Sequence, residues 1–257
     1  MTLPEPHHAA AVDPSSASAP DPSSAPDTIA RLARRFLLPD PAGAQLATMV
    51  GLLAGAPGAP TAIRDRRRIL DEHIADALVA LELPCVGCAS ELVDIGSGPG
   101  IPGVPLAIAL PGTSVTLLES NARKCSFIDQ VVRSVGLRNA QVVRARAEAW
   151  PEGIGRFDVV TARAVAGLDV VAEYAAPLLR LGGVLVAWRG KRDPLAEQRA
   201  ARAASVLGLE IAPPIQAHPF EAAANRHLHP IVKISPTPSD FPRRPGLAAK
   251  RPLGASG

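Results

Sequence analysis

Apolar residues change their spacing along this chain, and the changes divide it into four stretches. Residues 1–27 are Ala, Pro, Ser, Asp and His with almost nothing to bury, which predicts a disordered acidic tail. From 28 to 84 the apolar positions recur at helical intervals and predict an N-terminal helical region. Asp27 or Thr28 can cap a first helix over 29–38 that Pro39 stops; a second covers 44–53 and a third 65–83. The third carries a buried stripe of Ile69, Leu70, His73, Ile74, Ala77, Leu78 and Leu81.

From residue 85 to 235 the pattern becomes an alternation of short apolar runs and longer amphipathic ones. Strands are predicted at 91–95, 114–118, 141–144, 157–161 and 183–188, and helices at 103–110, 121–135, 168–180 and 193–208. That alternation means an α/β domain with a mostly parallel sheet covered on both faces. Two more strand-like runs, 211–217 and 228–234, have no helix between them and predict an antiparallel hairpin at one edge of a seven-stranded sheet. Residues 236–257 are rich in Pro, Gly, Arg and Lys and read as an extended basic tail.

The first strand runs straight into Gly96-Ser97-Gly98-Pro99-Gly100-Ile101-Pro102-Gly103. Such a turn lets backbone approach a ligand closely. About twenty residues on, the second strand ends in Glu119, placed to take a ribose diol. Gly98-x-Gly100-x-x-Gly103 also matches a dinucleotide fingerprint. The electrostatics weigh against a pyrophosphate. Asp94 stands two residues before the first glycine, and Pro99 and Pro102 remove two amide donors. S-adenosyl-L-methionine has no phosphate and carries two cationic centres, so it suits the turn better; a dinucleotide and a purely structural turn remain the alternatives.

Composition adds limits. Hydrophobic residues make up 47% and aromatics 3%, so the core is built from Ala, Val, Leu and Ile. No apolar run is long enough to span a membrane, no secretory signal opens the chain, and three cysteines suit a reducing, cytoplasmic setting. Cys85-x-x-Cys88 has no second pair, so no metal site is expected. The net charge of +3 is uneven: residues 1–28 hold four of the acids and no Lys or Arg, leaving the remainder strongly basic. A basic body points to a polyanionic partner such as nucleic acid, or to a genome that favours Arg.

Assembled, these residues resemble a class I S-adenosyl-L-methionine-dependent methyltransferase with a Rossmann-like fold. More narrowly, they resemble the ribosomal RNA small subunit methyltransferase G family, also called glucose-inhibited division protein B. The resemblance rests on Ala62-Ile63-Arg64-Asp65 with Ile69-Leu70-x-x-His73-Ile74-x-Asp76-Ala77-Leu78, and on Val93-Asp94-Ile95-Gly96-Ser97-Gly98-Pro99-Gly100-Ile101-Pro102-Gly103. It continues through Leu117-Leu118-Glu119-Ser120, Arg146-Ala147-Glu148, Thr161-Ala162-Arg163-Ala164 and the tail from Pro242 to Leu253. Residues 55–61, Ala-Pro-Gly-rich here, depart from the family pattern. The resemblance implies methylation of N7 of a guanine in the 530 loop of 16S rRNA in bacteria, with the small ribosomal subunit or its RNA as partner and a monomeric enzyme. Another substrate, or a non-catalytic assembly factor that holds the cofactor, are the alternatives.

Roles follow for single residues. Gly96, Gly98 and Gly100 would line the methionine half of the cofactor, Ile101 would close over it, and Asp94 would face its ammonium. Glu119 would take the ribose, Ala147 and Glu148 the adenine, and Arg163 is placed among the cofactor contacts. No Asn/Asp-Pro-Pro-aromatic and no Pro-Cys follows the fourth strand. Guanine N7 has a free lone pair and needs no general base, so no catalytic base is expected. For RNA the candidates are Arg123, Lys124, Arg189, Lys191, Arg226, Arg243, Arg244 and Lys250. The Arg64–Arg68 cluster is a solvated face or an RNA contact, and His73 is either a core histidine or a further RNA contact.

Overall fold

The computed structural model describes residues 25–255. The expected acidic tail lies outside them up to residue 24, and residues 25–27 already belong to the first helix. That helix, α1 (Ala25–Arg35), and α2 (Ala42–Gly55) bury Ile29, Leu32, Leu46, Met49 and Leu53. The third helical stretch does form, but in pieces. The Asp65 side chain caps α3 (Arg66–Ile69) by accepting from the Arg68 amide; Leu70–Ala75 then widen into a π turn, followed by α4 (Asp76–Leu78) and a tight 3-10 turn (Val79–Glu82). A short α5 (Pro84–Gly87) leads into the sheet.

The strands are β1 (Glu91–Ile95), β2 (Ser114–Glu119), β3 (Ala140–Arg144), β4 (Phe157–Arg163), β5 (Leu179–Arg189), β6 (Leu209–Ile211), β7 (Ile215–Gln216) and β8 (His227–Lys233). The crossovers are α6 (Gly103–Ala109), α7 (Ala122–Val135), α8 (Leu168–Ala175) and α9 (Pro194–Leu207), and α10 (Leu247–Lys250) follows the sheet. The order is β3-β2-β1-β4-β5-β8-β6, with β7 also on β8. Five strands are parallel, and β8 runs antiparallel to β5.

Two boundaries differ from the sequence pattern for local reasons. The run 211–217 is two strands, because Pro213 and Pro214 can donate nothing to a ladder, so the sheet has eight strands rather than seven. The helix expected to reach residue 180 stops at Ala175, ahead of Pro177, and β5 begins at Leu179. The apolar residues of α1–α7 pack on one sheet face in a single cluster that includes Leu92, Val115 and Leu117. Those of α8 and α9 pack on the other face with Val93, Val160 and Leu185.

The basic tail is not extended. Phe241 and Leu253 pack on the second cluster and Ala248 is buried. Arg243 forms a two-pronged ion pair with the buried Glu173 of α8. Among the described residues no helix is long and apolar enough to cross a membrane.

Candidate active site

Strand order reverses between β1 and β4, and in such sheets ligands bind beyond the strand C-termini at that point. The turn after β1 accounts for all its own amides. Those of Gly96 and Ser97 donate to the Leu118 carbonyl, that of Gly98 to Glu119 Oε2 (3.1 Å), and those of Gly100 and Ile101 to the Ser97 carbonyl. Gly103 donates to Asp94 Oδ2 (3.1 Å) and Val104 to the Gly100 carbonyl, while Pro99 and Pro102 have no N–H. No amide from 96 to 104 is left to cradle a pyrophosphate. With two carboxylates buried against the turn, it suits a phosphate-free, cationic ligand. The dinucleotide match is therefore coincidental.

Asp94 is 0% exposed; Oδ1 accepts from Thr161 Oγ1 (2.9 Å) and Oδ2 from Gly103. Burial raises its pKa to about 6 against the pull of these hydrogen bonds. It ties β1 to β4 and to the start of α6, a fastening role that the expectation of an ammonium contact did not include. Gly103 is fixed for the same reason, since a Cβ there would lie 2.3 Å from Leu117 and 2.9 Å from Asp94. Ile101, expected over the cofactor, is buried in the first core cluster instead. Gly98 and Gly100 are buried and shape the turn, and only Gly96 (φ 67°) opens to the surface. Both oxygens of Glu119 are held by backbone, Oε1 by the Asn121 amide (2.8 Å) and Oε2 by Gly98. Its carboxylate is fixed at the tip of β2.

Beyond Gly96 lies a cavity of about 210 Å³, lined by residues at and just beyond the ends of four parallel strands. They are Ile95 and Gly96; Leu118 and Ser120; Ala145, Arg146, Ala147 and Glu148; then Val165 and Ala166, with Tyr174 of α8 and Ala249 of α10. A Cβ on Gly96 would stand 2.9 Å from Val165, so a side chain there closes the cavity floor. Ala147 is a wall residue. Glu148, expected at the adenine amine, also lines the cavity, and its Oε1 accepts from the Gly246 amide (3.0 Å).

A second cavity, about 360 Å³, adjoins the first across the four residues that leave β4. It is lined by Asp76, Arg163, Ala164, Trp188, Arg189, Gly190 and Arg226. Arg163, paired in register with Trp188, turns away from the first cavity. Its Nη1 donates to Asp76 Oδ2 (2.7 Å) and to the Glu72 carbonyl (2.9 Å), and Nη2 donates to His73 Nδ1 (2.9 Å). The π turn makes this possible. The Asp76 amide reaches back five residues to the Asp71 carbonyl, and the carbonyl of Glu72 faces Arg163. Arg226 Nε donates to Asp76 Oδ1 (3.1 Å) and Trp188 Nε1 to the Asp76 carbonyl (2.6 Å). Burial raises the Asp76 pKa although both guanidiniums oppose it, and burial lowers that of Arg163.

His73 is buried, and burial, helped by Arg163, lowers its pKa to about 4. With Nδ1 accepting from Arg163, Nε2–H donates to Thr61 Oγ1 (2.9 Å). It positions Arg163 and has no face for RNA, which corrects that expectation. Arg226 donates through Nε to Asp76 and still lines the second cavity, while Arg243 is paired with the buried Glu173. Arg189 donates to the Ala166 carbonyl (2.8 Å) and still borders the second cavity. Lys124 is 4.0 Å from Glu119, while Arg123, Lys191, Arg244 and Lys250 are exposed. Within the upstream cluster, Arg64 is tied to the carbonyls of Leu53 and Ala59. A larger cavity, about 590 Å³ between α1 and the 218–222 loop, touches none of the parallel-strand ends and is not this site.

Sequence reasoning missed Asp76, Ser120, Arg146, Val165, Ala166, Tyr174 and Trp188. Ser120, Val165 and Ala166 were findable as the residues just past strand ends. Asp76 was findable as an acid inside an apolar stripe. Nothing in the sequence marks Tyr174.

Solved structures with this architecture include a SAM-dependent methyltransferase from Aquifex aeolicus (13% identity, TM-score 0.51, covering 76% of this chain and 99% of that one). They also include the cyclase SpnF (16% identity, TM-score 0.53, 77% and 97%). At such identities they show the fold alone. Sequence comparison goes further. The protein from Chloroflexus aggregans named ribosomal RNA small subunit methyltransferase G is 44% identical over 197 residues, 75% of this chain and 82% of its own. Its namesake from Roseiflexus castenholzii is 41% identical over 201 residues, 75% and 83%. The family model described as rRNA small subunit methyltransferase G matches residues 55–216, from the end of α2 to β7, and so covers the lining of both cavities except Arg226 and Ala249. The chain belongs to the rRNA small subunit methyltransferase G family.

Proposed function

We propose that this rRNA methyltransferase transfers the methyl group of S-adenosyl-L-methionine to N7 of a guanine in the 530 loop of 16S rRNA, acting in the cytoplasm as a monomer. S-adenosyl-L-methionine is the cofactor; it supplies an electrophilic methyl carbon on a sulfonium. The first cavity would hold it, with Gly96 and Val165 as its floor and Ser120 and Ala147 along its sides. The second cavity would take the target nucleotide.

The observation that carries this reading is the second cavity's chemistry. Its one carboxylate among the described residues, Asp76, is spent on Arg163 and Arg226. His73 behind it is neutral, with both ring nitrogens engaged. No side chain lining it is free to remove a proton, so the target must already be nucleophilic, as guanine N7 is. Catalysis is then positioning in a cationic, largely dehydrated site. The guanidiniums can face guanine O6 or a phosphate, and they must leave N7 free, because a bidentate Arg contact would occupy the reacting lone pair.

The test is mass mapping of modified guanines in 16S rRNA from cells lacking the protein. The expected result is loss of one N7-methylguanine in the 530 loop, restored by the wild-type gene. An unchanged 530 loop, or loss of a different modification, would overturn the assignment.

A further inference from the structure

The tail supplies a wall of the cofactor cavity. Residues 241–255 fold back over α8 and α9. Gly254 is pressed so closely to α9 that a Cβ would lie 2.2 Å from the Arg199 carbonyl oxygen, and its own carbonyl accepts from Arg202 Nη2 (2.8 Å). At the other end Arg243, 19% exposed, is clamped to Glu173, 2% exposed. Between these anchors Gly246 takes a left-handed turn (φ 79°) and donates its amide to Glu148 Oε1, and α10 then carries Ala249 to the cavity rim. Ala249 is exposed, although its neighbour Ala248 is 1% exposed. So α10 is seated on the body and shows one small side chain to the cavity.

We propose that residues 243–254 are a strap that forms the outer wall of the cofactor site, and that Glu148, itself a lining residue, also serves the cofactor by seating the strap through Oε1. This rests on the reading that the first cavity holds S-adenosyl-L-methionine. Glu148 and Ala147 leave β3 together, but only Ala147 is buried against the cavity wall. The Glu148 carboxylate holds the Gly246 amide and so sets where Ala249 stands. The strap is thereby a binding element for a nucleoside, and its small residue leaves room for one. Its basic residues are either spent, as Arg243 is, or solvent-facing.

The experiment is calorimetric titration of S-adenosyl-L-methionine into the full chain and its variants without RNA. A chain ending at Pro245 keeps the Arg243–Glu173 pair but lacks Gly246 and α10. It should bind the cofactor at least tenfold more weakly. Glu148→Ala should weaken binding severalfold in the full chain and by a smaller factor in the shortened one, because the carboxylate's partner in the strap is gone. Glu148→Gln, which retains an acceptor for the Gly246 amide, should restore most of the affinity. Ala249→Trp, at an exposed position, should block the cavity even where the shortened chain proves unstable.

Affinity within twofold of wild type for both the shortened chain and Ala249→Trp would overturn the strap. An undiminished effect of Glu148→Ala in the shortened chain would overturn the indirect role. Ser120→Trp on the opposite rim separates the two readings. If it leaves binding intact, the cavity is the wrong site; if it blocks binding while Ala249→Trp does not, only the strap fails. Truncation that alters RNA affinity alone would return the tail to the RNA surface.

Discussion

Replacing Asp76 by Ala tests the account of the second cavity most directly. The carboxylate is 5% exposed and serves Arg163 (2.7 Å, 19% exposed) and Arg226 (3.1 Å, 37% exposed) at once. The consequences for the two arginines are unequal. Arg226 sits near the surface and can turn into water. Arg163 is enclosed between the π turn and β5, and its remaining partners are the Glu72 carbonyl and neutral His73. Removing one member of a buried pair strands the other charge, which costs about 3–5 kcal/mol. Removing Arg226 leaves Asp76 paired with Arg163 and forfeits a half-exposed contact worth about 1 kcal/mol or less. Urea unfolding of wild type, Asp76→Ala and Arg226→Ala at neutral pH measures both. Asp76→Ala should be the more destabilising of the two. If Asp76→Ala costs under about 1 kcal/mol, or if Arg226→Ala costs as much as Asp76→Ala, Asp76 is not the hub and the cavity's charge balance is misassigned.

Arg163→Lys keeps the charge but cannot reach Asp76, the Glu72 carbonyl and His73 together; kcat for rRNA methylation should fall more than tenfold while cofactor affinity holds, and calorimetry beside single-turnover assays decides this. Gly96→Val sets a side chain against Val165 at a left-handed position, so cofactor binding should be lost from a chain that still folds, as calorimetry with circular dichroism would show. The His73 pKa is lowered to about 4, so folding favours the neutral ring; its contribution is complete above about pH 6.5 and falls by about 3 kcal/mol as pH drops to about 4. Asp94, raised to about 6, acts oppositely, since stability falls as pH rises from about 4 to 6. The measurement is therefore the difference in denaturation midpoint between wild type and His73→Ala across this range, and a pH-independent difference would refute it. RNA affinity should drop with salt, with a shallower slope in Arg123→Ala/Lys124→Ala and Lys191→Ala chains but not in Arg243→Lys.

The sheet was legible because parallel strands announce themselves as apolar runs joined by amphipathic ones, and because Gly96, Glu119 and Ala147 sit just past strand ends. What escaped was set by tertiary contact. Helical spacing placed His73 on a buried face but could not show that the face meets Arg163, ninety residues later. Basic residues were counted toward RNA by charge, yet Arg226 and Arg243 meet acids from α4 and α8 that only the fold brings near. Proline content marked the tail as irregular, which it is. Irregular was read as detached, and the anchors that hold it, Glu173 and Arg202, lie on helices far away in sequence.

Along Arg163-Ala164-Val165-Ala166 the chain passes from the lining of the second cavity to that of the first, and the strain in this link has a use. Arg163 belongs to one cavity, Val165 and Ala166 to the other, and Ala164 between them stands at φ 56°, a conformation that costs a side chain about 1 kcal/mol or more. An extended backbone here would carry β4 onward and send successive side chains to opposite sheet faces. The left-handed residue breaks that alternation. It lets Arg163 face α4 while Val165 folds back under Gly96, where their side-chain and backbone surfaces nearly touch. The left-handed Ala164 therefore lets adjacent residues of one link line different cavities, Arg163 the second and Val165 and Ala166 the first.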